Sequence, residues 1–272
     1  MVPLAGLTED ELRTVTDAAP DGAAGVADVY PLGPLQEGLF FHHRLNAGTG
    51  TGTAGGGGDG DPYVVRYVLR FDTQQLLDSF LAALAQVIDR HDVLRTSLAW
   101  TGLPHPVQVV HRHAELPVTE TDLGDGPDPV GRLLADGDEP LDLRRAPLMD
   151  ARTATEPGTG RRLLAVRMHH ITQDHTTLDL VLREATALLA GRDGTLPAPR
   201  PYREFVGRAL LTTSAEEHLA HFGRLLGDVT EPTAPFGVRE ARGGGTDVTE
   251  RRTVLGEPVA APGCAHRPGA PE

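Results

Sequence analysis

Residues 62–71, PYVVRYVLRF, place Tyr63, Val65, Tyr67, Leu69 and Phe71 on one face and Arg66 and Arg70 on the other. That period of two is the mark of a half-buried strand. The next residues, TQQLLDSFLAALAQVIDRH, repeat apolar side chains at helical spacing: Leu77, Phe80, Leu81, Leu84 and Ile88. Asp72 or Thr73 stands where a cap is needed. The same order returns later, with RRLLAVRMHH as a strand and a helix from Thr176 or Thr177 through Leu178, Val181, Leu182 and Leu188. A chain that follows strands with one-faced helices buries both only by laying helices on a sheet. LRTSLAW and PVQVVHRH read as strands joined by a turn at Gly102 to Pro104, and MDARTAT pairs with RRLLAVRMHH across EPGTG. The fold class expected is therefore α+β, a mostly antiparallel sheet covered by helices.

Outside that frame, Thr8 and Glu11 form a capping box for a helix through Leu12 and Val15, and PDGAAG ends it. A second helix starts after Pro34 and runs through Leu35, Leu39 and Phe40 to Leu45. Residues 47–61, AGTGTGTAGGGGDGD, lack core-forming side chains and read as a flexible insertion. A short helix is expected near Val130 to Leu134, and two more around Tyr202 to Leu211 and Ala215 to Leu226. After Gly227 the periodicity fades, and residues 256–272 read as a disordered or non-native tail.

Composition excludes several classes of function. The net charge is −13 over 272 residues, and every basic residue is Arg. Such a chain repels polyphosphates, which argues against nucleic acid as a partner. No apolar run approaches the roughly 18 residues of a membrane span, and the N-terminus is acidic where a secretion signal is basic and apolar. The expectation is a cytoplasmic protein. The single Cys264 makes a disulfide framework impossible and leaves no Cys-based zinc site.

The densest polar cluster sits where an apolar strand ends: His169, His170, Asp174 and His175, in LLAVRMHHITQDHTT. Histidine suits proton transfer near neutral pH. Adjacent residues of a strand face opposite sides, so only one of His169 and His170 points at a given substrate, and the other is buried or organises the loop. The same geometry argues against both chelating one metal ion.

HHITQDH resembles the HHxxxDG motif of nonribosomal peptide synthetase condensation domains, which have a chloramphenicol acetyltransferase-like fold. Other segments resemble that family's motifs in order: DVYPLGPLQEGLFFH (Asp28 to His42), RHDVLRT (Arg90 to Thr96), EPLDLRRAPLMDAR (Glu139 to Arg152), YREFV (Tyr202 to Val206) and EPTAPFG (Glu231 to Gly237). The resemblance implies residues 1–27 as a linker helix from an upstream carrier protein and 28–200 as a first lobe. It also implies 201–255 as the truncated start of a second lobe.

The implied activity is amide formation between two acyl groups carried on phosphopantetheine arms. No cofactor binds directly, and the partners are peptidyl carrier proteins and other synthetase modules. The resemblance makes His170 the catalytic histidine, as base or as a positioning group, with His169 organising the loop. It makes Asp174 a structural carboxylate whose partner is Arg95 or an arginine outside this chain. His175 stands where the family usually has Gly, as a substrate-tuning group or a second proton carrier. Arg90, His91 and Arg95 either border the site or merely link helix to strand through buried salt bridges. Tyr30, Gln36, Tyr202 and Phe205 are read as packing residues. Two other functions fit the cluster: a non-catalytic module that docks carrier proteins, and a related acyltransferase acting on a small alcohol or amine. An epimerising relative fits less well, and the His169–His170 pair argues against a cyclising one.

Overall fold

A computed structural model describes residues 4–48, 61–136, 140–231, 233–234 and 237. The chain runs α1 (Glu9–Asp17), α2 (Gly22–Gly25), β1 (Val26–Pro31), α3 (Pro34–Gly48), β2 (Val64–Phe71) and α4 (Gln74–Arg90). Then follow β3 (Thr96–Ala99), β4 (Val107–His111), β5 (Val118–Glu120), α5 (Pro129–Ala135), β6 (Met149–Thr155) and β7 (Arg162–His169). The last described elements are α6 (His175–Leu189), α7 (Tyr202–Leu211) and α8 (Ala215–Leu226). The α+β class expected from the sequence is the one observed.

The described strands form two sheets, ordered β2–β7–β6–β5 and β1–β4–β3. Every pairing among them is antiparallel except β5 with β6. The turn between β6 and β7 relies on Gly158 and Gly160, both at positive φ (78° and 69°), where a side chain is strained. Val64 faces His169 and Phe71 faces Arg162, so β2 and β7 pair over their whole length.

The main core lies on one face of the larger sheet. Leu77, Phe80, Leu84, Val87 and Ile88 of α4, with Val181 and Ala185 of α6, cover Leu164, Val166 and Met168 of β7. Leu77, Phe80, Leu84, Ile88 and Val181 are among the helical positions read from the sequence. On the opposite face, Leu133 of α5 packs on Leu163, Ala165 and Ala154. The capping box of α1 forms as expected, and Val15 packs with Val107 and Val109 on the smaller sheet.

Three local expectations are corrected. Strand β1 forms where the sequence shows no strand signal; VADVYP has no alternation, and what makes it a strand is pairing with Val107–His111 at the sheet edge, where Pro31 is tolerated. Strand β5 is equally silent in the sequence, being three exposed residues that pair with Ala151–Thr153. Helix α6 begins at His175 rather than at Thr176 or Thr177, capped by Asp174, whose side chain accepts from the Thr177 N–H at 2.8 Å. Residues 49–60 of the glycine-rich insertion, Pro232, Pro235 and Phe236 of EPTAPFG, and Cys264 with the 256–272 tail lie outside the described residues.

One buried carboxylate ties the two long helices together. Glu184 of α6, 4 % exposed, accepts from Arg90 Nε at 3.0 Å and faces His91 Nε2 at 2.9 Å. Arg90 also donates to the Pro197 carbonyl at 2.8 Å. Burial alone would raise the Glu184 carboxyl, but the hydrogen bonds and charges of His91 and Arg90 hold it below its ordinary 4.5. A carboxyl depressed in the folded state contributes stability above its unfolded pKa and loses it as pH falls through the folded one. Glu184→Gln is expected to lose about 1–3 kcal/mol at pH 7. It should also flatten the loss of stability below pH 4.5, measured by urea denaturation across pH. An unchanged acid limb would show that the pairing contributes nothing.

Candidate active site

Strand β7 delivers His169 and His170 to the loop before α6, and backbone bonds to both neighbouring strands hold the delivery point. His169 N–H donates to the Leu148 carbonyl at 2.9 Å, and His170 N–H to the Tyr63 carbonyl at 2.7 Å. The loop then folds back on itself, with Thr172 N–H and its hydroxyl both donating to the His169 carbonyl at 3.1 and 3.2 Å.

The two rings part as strand geometry requires. His169 is wholly buried, and its Nδ1 accepts the Ile171 N–H at 3.1 Å. That acceptor role puts the ring proton on Nε2, which faces Asp61 Oδ2 at 3.3 Å. His170 is exposed, with Nδ1 2.6 Å from the Gln173 carbonyl. A carbonyl only accepts, so Nδ1 carries a proton, and in the neutral ring the lone pair is on Nε2. No described residue hydrogen-bonds that Nε2. The loop thereby selects, for the neutral ring, the tautomer with its acceptor at Nε2.

A pair of buried amides holds the loop from beneath. Gln36 Nε2 donates to the Ile171 carbonyl at 2.9 Å and to Gln108 Oε1 at 3.0 Å. Gln108 Nε2 returns a bond to Gln36 Oε1 at 2.9 Å and donates to the Pro31 carbonyl at 3.1 Å. Gln36 Oε1 also accepts the Gly33 N–H at 2.9 Å. All four N–H bonds of the two amides are used, so the network is satisfied rather than strained. Ile171 adds an apolar anchor among Leu32, Phe40, Leu98, Leu143 and Leu148.

His170 lies on an open cleft of about 690 Å³ bounded by the start of α3, the turn at His91–Leu94, the loop, α6 and α7. Its walls are mostly apolar, including Leu35, Leu39, Leu180, Val181, Phe205 and Ala209. Tyr202, Arg200, Asp174 and His91 supply polar groups.

The other sequence-derived candidates separate. Asp174 lines the cleft but serves as the cap of α6: the Thr177 N–H and hydroxyl both donate to Oδ1 and hold its carboxyl below the ordinary range. Arg95 does not pair with Asp174. It is buried, bonds Asp92 Oδ1 at 2.9 Å and the Arg112 carbonyl at 3.2 Å, and donates to the His111 carbonyl. Sequence proximity explains this, since Asp92 lies three residues away within one helical turn.

His175 is also corrected. Its side chain is 88 % exposed, lies 3.7 Å from Asp179 and does not line the cleft, because the first turn of α6 faces it outward. Arg90 and His91 are held by Glu184, although His91 also lines the cleft. Tyr30 packs with Val110 and Val206. Tyr202 and Phe205 lie on the cleft wall with their rings tilted at 31° and centroids 5.4 Å apart.

Gln36 exceeds its packing role, and Gln108, Glu184, His43 and Asp61 join the site without a sequence signal. The partners of Gln36, Glu184 and Asp61 lie 72, 93 and 108 residues away in the chain, and His43 meets Asp61 18 residues on, separations that leave no local pattern. Asp61, which ends a featureless insertion in the sequence, is half-buried between His43 and His169.

The exposed histidine at the end of a central strand borders an apolar cleft, and the fold that carries it is α+β and chloramphenicol acetyltransferase-like. The condensation-domain profile matches residues 26–224, and the chain belongs to the condensation-domain family. Malpinin synthetase of Mortierella alpina is 38 % identical over 259 residues, which cover 94 % of this chain and 3 % of the synthetase. Malpibaldin synthetase of the same organism is 33 % identical over 259 residues, 94 % of this chain and 4 % of that synthetase. The starter condensation domain of rhizomide synthetase superposes with a TM-score of 0.57 at 21 % identity, covering 76 % of this chain and 50 % of that one. The chain thus spans a few per cent of these synthetases and about half of the solved domain.

Removing the amide clamp tests the geometry. Gln36→Leu strands the Ile171 carbonyl and one side of Gln108, at a cost of about 1–3 kcal/mol. Amide exchange at Ile171 to Gln173 is expected to quicken more than exchange at Leu164 or Val166. Uniform quickening across β7 would mean that the clamp holds the sheet rather than the loop.

Proposed function

We propose that this chain forms the histidine-bearing half of a condensation site, which joins a donor acyl thioester to the amine of an acceptor aminoacyl thioester. Both substrates are carried on phosphopantetheine arms of peptidyl carrier proteins, the partners this reading requires, alongside other synthetase modules. The observation that carries it is the setting of His170: its Nδ1 lies 2.6 Å from the Gln173 carbonyl, and its side chain borders the cleft with no described partner on Nε2. Family membership supports the reaction class.

In the step itself the acceptor amine attacks the thioester carbonyl carbon. The C–N bond forms, the C–S bond breaks, and the sulfur leaves as the donor arm's thiolate. His170 Nε2 takes the amine proton, or holds the amine and the charged intermediate by a hydrogen bond, and the proton ends on the departing thiol. The thioester is already activated, so holding two tethered reactants in line supplies much of the rate. Ile171, pinned by Gln36, and Asp174, capping α6, keep the His170 loop in place for this. His169 organises that loop from within the core. Arg95 serves the turn at residues 92–95 and not the reacting atoms.

Residues 28–200 correspond to the first lobe and residues 201–255 to the beginning of the second. Helix α8 presents Leu219, Phe222, Leu225 and Leu226 to solvent, an apolar stripe suited to lobe-to-lobe packing.

His170→Ala, in the chain joined to a matching second lobe and assayed with loaded carrier proteins by mass spectrometry, is expected to slow amide formation by about 10²- to 10⁴-fold. Carrier binding should be unchanged. Undiminished amide formation would overturn the proposal and leave a docking module as the better reading.

A further inference from the structure

Outside the cleft, the sharpest cluster of titratable groups is His43, Asp61 and His169. Asp61 Oδ2 lies 2.8 Å from His43 Nδ1 and 3.3 Å from His169 Nε2. Asp61 Oδ1 accepts the Tyr63 N–H at 3.0 Å, and the Asp61 carbonyl accepts the Val64 N–H at 3.0 Å. One residue therefore joins α3, the start of β2 and the end of β7. The three ligand-type atoms lie within 4.8 Å of one another, close enough to suggest a divalent-cation site.

Hydrogen bonding decides against a cation. A neutral histidine that ligates through Nε2 carries its proton on Nδ1 and hands it to an acceptor. His169 Nδ1 faces a donor instead, the Ile171 N–H at 3.1 Å. The ring proton is forced onto Nε2, and Nε2–H points at the Asp61 carboxylate. What fits is a hydrogen-bonded pair that locks a buried ring.

The ring in turn sets the loop. Its Nδ1 holds the backbone of Ile171, its carbonyl holds Thr172, and the Tyr63 carbonyl beside Asp61 holds the His170 N–H at 2.7 Å. Burial would raise the Asp61 carboxyl, but the hydrogen bonds from His169, His43 and the Tyr63 N–H hold it well below the ordinary carboxylate range. The acceptor charge is thus present throughout neutral pH.

We propose that Asp61, with His43 on its other side, is a positioning residue that fixes the tautomer of His169 and through it the placement of His170. The idea rests on the condensation reading only for its effect on rate; the tautomer lock stands without it.

Asp61→Asn separates the two jobs of the carboxylate. The amide oxygen still accepts the Tyr63 N–H, while the amide NH2 now opposes the His169 Nε2–H. Two-dimensional ¹⁵N–¹H spectra of the histidine rings are the direct readout, with circular dichroism as the fold control. Wild-type His169 is expected to show the Nε2–H form and His170 the Nδ1–H form. In Asp61→Asn both sets of signals should shift or broaden while the helix signal is kept. His43→Ala, which leaves the carboxylate in place on a less buried neighbour, should move the His169 signals less.

In the two-lobed protein, kcat for amide formation should fall by up to about 10²-fold in Asp61→Asn, with KM for the carriers little changed. Unchanged His169 and His170 signals in the folded variant would overturn the proposal. So would one equivalent of zinc in the purified protein whose removal by chelator shifts those same signals. If the ring signals respond as expected but His170→Ala leaves amide formation intact, the condensation reading fails and the positioning role survives.

Discussion

The paired amides of Gln36 and Gln108 are the constraint on which the site depends. Gln108 lies in the smaller sheet and Gln36 in the first turn of α3, while the carbonyl they hold, that of Ile171, belongs to the loop leaving the larger sheet. The described strands pair within each sheet and not between them, so this side-chain junction sets how the loop sits against the segment Tyr30–Gln36. A buried amide with every N–H satisfied is rigid because any movement leaves a polar group without a partner. The apolar cluster around Ile171 adds contact area beneath the same loop.

On that platform the chemistry of the two histidines is set by what their backbone neighbours offer. A donor, the Ile171 N–H, faces His169 Nδ1; an acceptor, the Gln173 carbonyl, faces His170 Nδ1. Identical rings one residue apart therefore take opposite tautomers, one pointing its N–H into the core and the other leaving a lone pair on the cleft. The residue type alone does not distinguish them. Glu184 does comparable work farther out, gathering Arg90 and His91 so that the RHDVLRT segment joins α4 to α6. Of the alternatives for that segment, salt-bridged linkage describes Arg90 and Arg95, and His91 does both.

Much of this was legible along the chain, because it rests on short-range periodicity. The alternation of residues 62–71 and the helical spacing of Leu77 to Ile88 placed β2 and α4 and their buried faces. The capping box at Thr8 and Glu11 appears as read. The His169–His170 pair at a strand end was enough to say that one ring faces out and one in, since strand residues alternate.

Tertiary structure alone decided the rest, for the reason that the deciding bonds join residues distant in sequence. Strand β1 exists because β4 pairs with it, and β5 because β6 does. Gln36 acts through residues 72 and 135 positions away. Arg95 and His175 are the local exceptions: helix geometry turns Arg95 to Asp92, three residues away, and His175 to solvent beside Asp179. Asp61 looked like the end of a glycine-rich stretch, yet it meets a histidine 108 residues on. A sequence shows which faces are apolar and which residues carry chemistry; which polar atoms meet is set only when those faces pack.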